Sequence, residues 1–156
     1  MKNQMTVLAQ KRAAELFKNA KIPKNLAGSF EMDDFSLAVD CGYGLGVIEA
    51  TECFDDKTQK VTNEGIQRLI DRADTYTEYV PRRSGIRIIG QVHPGHVTEI
   101  DCATDNPDVL LSVYRNCDRW VDISGIPIVD KPLRHICNLI NEIEGDMGSY
   151  IYLDRH

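Results

Sequence analysis

Four groups of residues in this chain have the types and spacing to do chemistry. Glu49, Glu52, Asp55 and Asp56 follow a glycine-punctuated apolar stretch. Carboxylates grouped at a strand end can hold hard divalent cations through oxygen. Two such cations align the attacking and leaving oxygens of a phosphate transfer. A solvated acidic turn has the same composition. Arg82, Arg83 and Arg87, with Ser84 and Gly85 between them, put three guanidinium groups beside a tight turn. Their planar fork matches phosphate oxygens. In strand alternation Arg87 shares a face with Ile89, opposite Ile86 and Ile88, so a cation there needs a reason. A phosphate is one reason, and a salt bridge to Glu78 across a hairpin is the ordinary one.

Tyr114, Arg115, Asn116, Asp118, Arg119 and Trp120 interleave arginine with aromatic rings, which suits stacking on bases and contact with phosphates. Trp120 reads first as a core residue, because large aromatics usually supply packing. His93 and His96 lie near Asp101 and Cys102, but Pro94-Gly95 makes a turn between the histidines, and zinc needs three or four ligands at recognised spacing. Glu99 and Asp101 alternate on one strand face and form a spare metal pair. His135 falls off the apolar face of the last helix and reads as a surface residue. The series Gly42-Tyr43-Gly44-Leu45-Gly46 has no strand before it and no helix after it, so it reads as a turn. No Gly-x-Ser-x-Gly, Walker loop or dinucleotide fingerprint occurs.

These side chains need a scaffold. The chain has 156 residues, 42% apolar and 27% charged, the profile of one globular domain with a real core. It carries 18 basic against 24 acidic side chains, net −6, which argues against a surface that grips nucleic acid everywhere and leaves room for a local basic groove. No apolar run approaches a membrane span, so no membrane partner is expected. The stretch MKNQMTVLAQKRAAELF has no secretory-signal pattern. Five cysteines, at 41, 53, 102, 117 and 137, form no CxxC pair. That spacing reads as mostly buried thiols in a reducing, cytoplasmic compartment.

Residues 1–28 read as an N-terminal helix (5–20) and a linker broken by Pro23 and Gly28, with one domain over 29–156. Glu31–Val39 reads as a helical turn or two. A strand opens at Val47. Thr62 or Asn63 caps a helix whose apolar face is Ile66, Leu69, Ile70 and Ala73. Thr75–Val80 and Ile86–Val92 form a hairpin with a basic tip. Val97–Asp101, Val109–Tyr114 and Trp120–Ile123 are further strands. Asp130 caps a last helix with Pro132 in its first turn and Leu133, Ile136, Leu139, Ile140 and Ile143 on its apolar face. A short strand is expected at Tyr150–Leu153. This order predicts an α+β domain with a mostly antiparallel sheet.

Three segments bear a family resemblance: GLGVIEATECFDD (44–56), DTYTEYVPRRSGIRIIG (74–90) and LLSVYRNCDRWVDISG (110–125). From about Phe30 to Pro127 the chain resembles the catalytic domain of archaeo-eukaryotic-type primases, in the primase-polymerase branch carried by phages and plasmids. The resemblance implies an RRM-like sheet with flanking helices and a two-metal nucleotidyl-transfer site, fed by a nucleoside triphosphate and a single-stranded template. Carried over by position, the first metal acid of that family falls on Glu49, the second on Thr51 and the third on Ser112. Its middle-motif His or Arg is Arg87, and Arg119 matches its later arginine. The Pro-Ser-Gly turn is PRR here.

Two of the three metal acids are therefore replaced. A lone Glu49 is a poor holder of paired Mg²⁺, which needs near-octahedral oxygen ligation. The expectation is a degenerate primase-polymerase-like binding module without a cofactor, engaging single-stranded nucleic acid through Arg82, Arg83, Ser84, Arg87, Arg115 and Arg119, or else docking on a protein complex. The net charge favours the protein, because nucleic-acid affinity comes from basic contacts that release counterions. An inhibitor encoded by a phage or mobile element fits a short acidic chain. One alternative is an active Mg- or Mn-dependent nucleotidyltransferase built on Glu49, Glu52 and Arg87, with Asp118 or Asp122 completing the metal site. The other is a regulatory or oligomerisation domain.

Overall fold

A computed structural model of the chain describes residues 31–33, 36–42, 44–104 and 106–145. The expected helix at 5–20 and strand at Tyr150–Leu153 lie outside these residues. The described part is mixed α+β. Its strands are β1 (Glu31–Asp33), β2 (Ser36–Asp40), β3 (Leu45–Ala50), β4 (Phe54–Asp55), β5 (Lys60–Val61), β6 (Thr77–Val80), β7 (Gly85–Gln91), β8 (Thr98–Ala103), β9 (Leu110–Arg115), β10 (Trp120–Ile123) and β11 (Pro127–Val129). Its α-helices are α1 (Glu64–Ala73) and α2 (Cys137–Gly145).

The main sheet has six strands in the order β11-β6-β7-β3-β9-β8, every neighbour antiparallel. Period-two alternation divides its two faces. Ile48 and Ala50 of β3, Ile86 and Ile88 of β7, and Leu111 and Val113 of β9 point to one side, where α1 and α2 bury Ile66, Leu69, Ile70, Leu139, Ile140 and Ile143 against them. Asn63 caps α1 as expected, its Oδ1 accepting from the Ile66 N–H. Arg72 of α1 pairs with Glu142 of α2, so the helices lie side by side.

On the opposite face a second apolar cluster gathers at one end. There Leu45, Val47, Tyr76, Ile89 and Tyr114 pack under Val121 and Ile123 of β10. Strand β10 belongs to a second, three-stranded sheet in the order β1-β2-β10. That pairing explains why Glu31–Asp33 and Ser36–Asp40 are strands where the sequence predicts a helical turn or two over Glu31–Val39: the backbone of β2 is hydrogen-bonded on both sides, to β1 and to β10. A second difference concerns the last helix, which begins at Cys137 rather than at Pro132. The stretch before it is drawn out along the end of β7, where the Gln91 N–H donates to Arg134 O and the Ile136 N–H to Gln91 O. Leu133 and Ile136 are buried as expected, from an extended backbone.

Gly85 lets β7 start hard against β3. A Cβ built there would sit 2.2 Å from the Ala50 carbonyl oxygen, a backbone atom that cannot swing away. Gly85→Ala is expected to cost about 1–3 kcal/mol, the range for overpacking. A urea midpoint equal to that of the native chain would contradict this.

All five cysteines are free, and Cys41, Cys53, Cys102 and Cys117 are buried. Burial pushes the Cys53 thiol up to about 12. Burial, then the charge of Glu78, pushes the Tyr76 phenol upward as well. Both groups keep protons in the folded state that the unfolded chain would release. Their contribution is complete below the ordinary thiol value of 9.0 and is lost as pH climbs from there toward about 12. The thermal midpoint should therefore fall through that window, and Cys53 should resist alkylation until the chain unfolds. A flat midpoint across it would count against this.

Candidate functional site

One row of side chains crosses five strands on the face of the sheet opposite the helices. Cross-strand register places Glu78 of β6 opposite Arg87 of β7, Arg87 opposite Glu49 of β3, Glu49 opposite Ser112 of β9, and Ser112 opposite Asp101 of β8. Arg87 is the hub. Its Nε donates to Glu49 Oε2 at 3.0 Å, a terminal nitrogen lies 2.8 Å from the same oxygen, and the other donates to Glu78 Oε2 at 2.7 Å. Glu78 is fully buried, and it also accepts from Tyr76 Oη and from the backbone N–H groups of Ser124 and Gly125. Burial works against the Arg87 charge, but Glu78 and Glu49 outweigh it and hold the guanidinium above its usual value.

The sequence expectation of an Arg87–Glu78 ion pair is met, and Glu49 joins it. The hydroxyl of Ser112 donates to Asp101 Oδ1 at 2.7 Å. Thr51 is drawn out of the row. Its Oγ1 donates to Asp108 O at 3.2 Å and accepts from the Leu110 N–H at 3.0 Å, so its hydroxyl fastens the start of β9. Thus 49, 87 and 112 converge, and 51 does not.

Above this floor lies a cleft of about 570 Å³. Glu49 and Arg87 line its base. The turn Val80–Arg83 forms one wall, and the segment Arg119–Ser124, which contains β10, forms the other. The turn is a single 3-10 turn over Pro81–Arg83 closed by Ser84 in the left-handed region, φ 48°. It is tied down by the Glu52 N–H to Arg83 O and by the Cys53 and Phe54 N–H groups to Ser84 O. Arg82 and Arg83 are exposed, and no partner for either guanidinium occurs among the described residues. Arg119 stacks on the Tyr114 ring at 4.2 Å and reaches Glu99 at 3.4 Å.

Trp120 is not the core residue its size suggested. It is 47% exposed and lines the cleft, because Val121 and Ile123 take the buried side of β10. Asp122 lines the cleft beside it.

Other expected site residues sit elsewhere. Arg115 is 2% exposed and faces the helices, not the cleft. Its guanidinium donates to Thr98 Oγ1, Asn141 Oδ1 and Glu144 Oε1. Strand alternation turns it away from Tyr114, so it fastens β9 to α2 instead of meeting a phosphate. Glu52 and Asp118 are exposed and do not line the cleft. Glu52 lies beyond the end of β3, and Asp118 lies in the loop before β10. Asp55 and Asp56 accept from the Lys57 N–H and from Gln59 Nε2, the bonds of an ordinary acidic turn.

The His93–His96 loop is held by Asn116, whose Nδ2 donates to both histidine carbonyls. His93 stacks on His135, and His96 Nε2 lies 3.0 Å from Glu144. Among the described residues no group of three or more His, Cys, Asp or Glu is placed to hold a metal ion. Sequence reasoning missed the Ser124-Gly125 amides that hold Glu78 and the placement of Asp122 beside Trp120. Only the Trp-x-Asp alternation at 120–122 signalled the latter.

No protein-family model matches the chain, and no curated protein matches it significantly.

Proposed function

We propose that this chain is a primase-polymerase-like domain that works as a binding module, and that its cleft takes single-stranded nucleic acid. The observation carrying this reading is the charge arrangement at the centre of the sheet. Glu49, the position that corresponds to the first metal acid of the resembled family, is ion-paired with the guanidinium of Arg87, which it shares with Glu78. The two other corresponding positions are a threonine and a serine whose hydroxyls are engaged by neighbouring groups. The guanidinium of Arg87 lies between the carboxylates of Glu49 and Glu78 and occupies oxygens that a divalent ion would need.

The cleft walls add what a strand needs. Four arginines and two acids line it; Arg87 and Arg119 are engaged by glutamates, and Arg82 and Arg83 have no partner among the described residues. Guanidinium forks meet phosphates. An exposed indole offers a sequence-tolerant stacking surface worth about 1–3 kcal/mol per base. The same arginines and tryptophan would also suit an acidic protein segment, which is the competing occupant.

Trp120 is the chain's one tryptophan, so its emission reports the cleft directly. Titrating the protein with an oligothymidylate at low salt should quench that emission. Binding should weaken as salt rises, and the combined Arg82→Ala and Arg83→Ala variant should reduce the salt slope by roughly one per lost phosphate contact. No quenching and no retardation at low salt would remove the nucleic-acid reading and leave the acidic protein segment. Primer extension with Mn²⁺ or Mg²⁺ that vanishes in Glu49→Ala would replace the whole reading with that of an active polymerase.

A further inference from the structure

We propose that the cleft prefers guanine, and that Asp122 is the residue that selects it. The inference rests on the single-strand reading above and adds a base identity to it. Trp120 and Asp122 lie two residues apart on β10 and point to its exposed side, while Val121 and Ile123 face the core. Two residues along a strand is about 6.6 Å. A base stacked on the indole therefore carries its hydrogen-bonding edge toward the carboxylate.

Asp122 is exposed, and no hydrogen bond or ion pair engages its side chain among the described residues. The other acid of the cleft, Glu49, is occupied by Arg87. Arg82 and Arg83 line the same cleft and can meet the phosphates of a strand held there.

An ionised carboxylate only accepts hydrogen bonds. The Watson–Crick edge of guanine offers two neighbouring donors, N1–H and N2–H, which match both oxygens at once and make a charge-assisted, bidentate contact. Cytosine and adenine each set an amino donor beside a ring nitrogen that repels the carboxylate. Thymine sets one N–H between two carbonyl oxygens. The acceptor-only partner thus discriminates by repulsion as well as by attraction. Guanine in a strand and a free guanine nucleotide share this chemistry.

The test compares labelled ten-residue strands by fluorescence anisotropy: all thymine, the same strand with one central guanine, and the same strand with inosine, which lacks the N2 amino group. The guanine strand should bind tighter than both others by at least roughly tenfold, the size expected of one good bidentate base contact. Asp122→Asn and Asp122→Ala should bring the guanine strand down to the thymine strand. Both changes are at an exposed position, so folding should be untouched.

Guanosine monophosphate serves as the second probe. Competition by it alone, and not by inosine monophosphate, assigns the preference to a free nucleotide. Preference seen only within a strand assigns it to the polymer. Equal binding of all three strands, with Trp120 emission still quenched, overturns the guanine assignment and leaves the single-strand reading intact. Failure of every strand to bind at low salt overturns both.

Discussion

Replacing Arg87 by methionine is expected to lower stability by about 3–5 kcal/mol, the cost of leaving one member of a buried ion pair alone. Methionine keeps much of the length and volume of the side chain, so packing changes little. The charge balance changes a great deal. Glu78 is fully buried and loses its one salt bridge among the described residues, retaining Tyr76 Oη and the amides of Ser124 and Gly125. Glu49 is 15% exposed at its side chain and can recover water, so most of the loss falls on Glu78. Pairing Arg87→Met with Glu78→Gln separates the terms. Glutamine carries no charge and keeps one acceptor oxygen, enough for one of the two amides because Ser124 and Gly125 donate to different oxygens of Glu78. Removing the buried charge outweighs the lost bond, so the double variant should be more stable than Arg87→Met alone. Urea unfolding of the four members of the cycle reads the coupling. Additive losses at 78 and 87 would mean that the row is not an electrostatic unit.

The second large effect concerns Arg115. Arg115→Met should cost about 2–4 kcal/mol, since it removes three hydrogen bonds made by a buried cation and leaves Thr98 and Asn141 without that donor. Its affinity for an oligothymidylate should nonetheless match that of the native chain, measured below the variant's unfolding midpoint. The reason is geometric. Arg115 lies on the helix-covered side of the sheet, and the cleft lies on the other. Arg82→Ala with Arg83→Ala is the converse case, with stability kept within about 0.5 kcal/mol because both residues are exposed. An Arg115→Met protein that folds well and binds weakly would place this guanidinium in the ligand's path after all.

Much of the scaffold is legible in the amino-acid sequence. Helix α1 announces itself through Ile66, Leu69, Ile70 and Ala73 at helical spacing behind a capping asparagine. The β6–β7 hairpin follows from β-forming runs on either side of a Pro-Arg-Arg-Ser-Gly turn. Its register even makes the Arg87–Glu78 pair legible, because nine residues with a short turn bring those two positions opposite each other. Harder to read were strand β2 and residues 130–136. Both are extended only because distant strands satisfy their backbone, β10 in the first case and the end of β7 in the second.

Composition and local pattern determined the kind of fold, the helix-facing core and the presence of an unusual cation on an apolar strand. Those properties depend on near neighbours along the chain, where period and capping act directly. Tertiary structure alone decided which polar groups meet. Parity on β9 put Ser112 into the row with Glu49 and sent Arg115 to the helices, although the two are only three residues apart. The crossing of β10 over the open face brought Trp120 and Asp122 to a cleft floored by residues more than thirty positions away. A one-residue change of strand register would reverse each assignment, and register is set by which strands pair across the sheet.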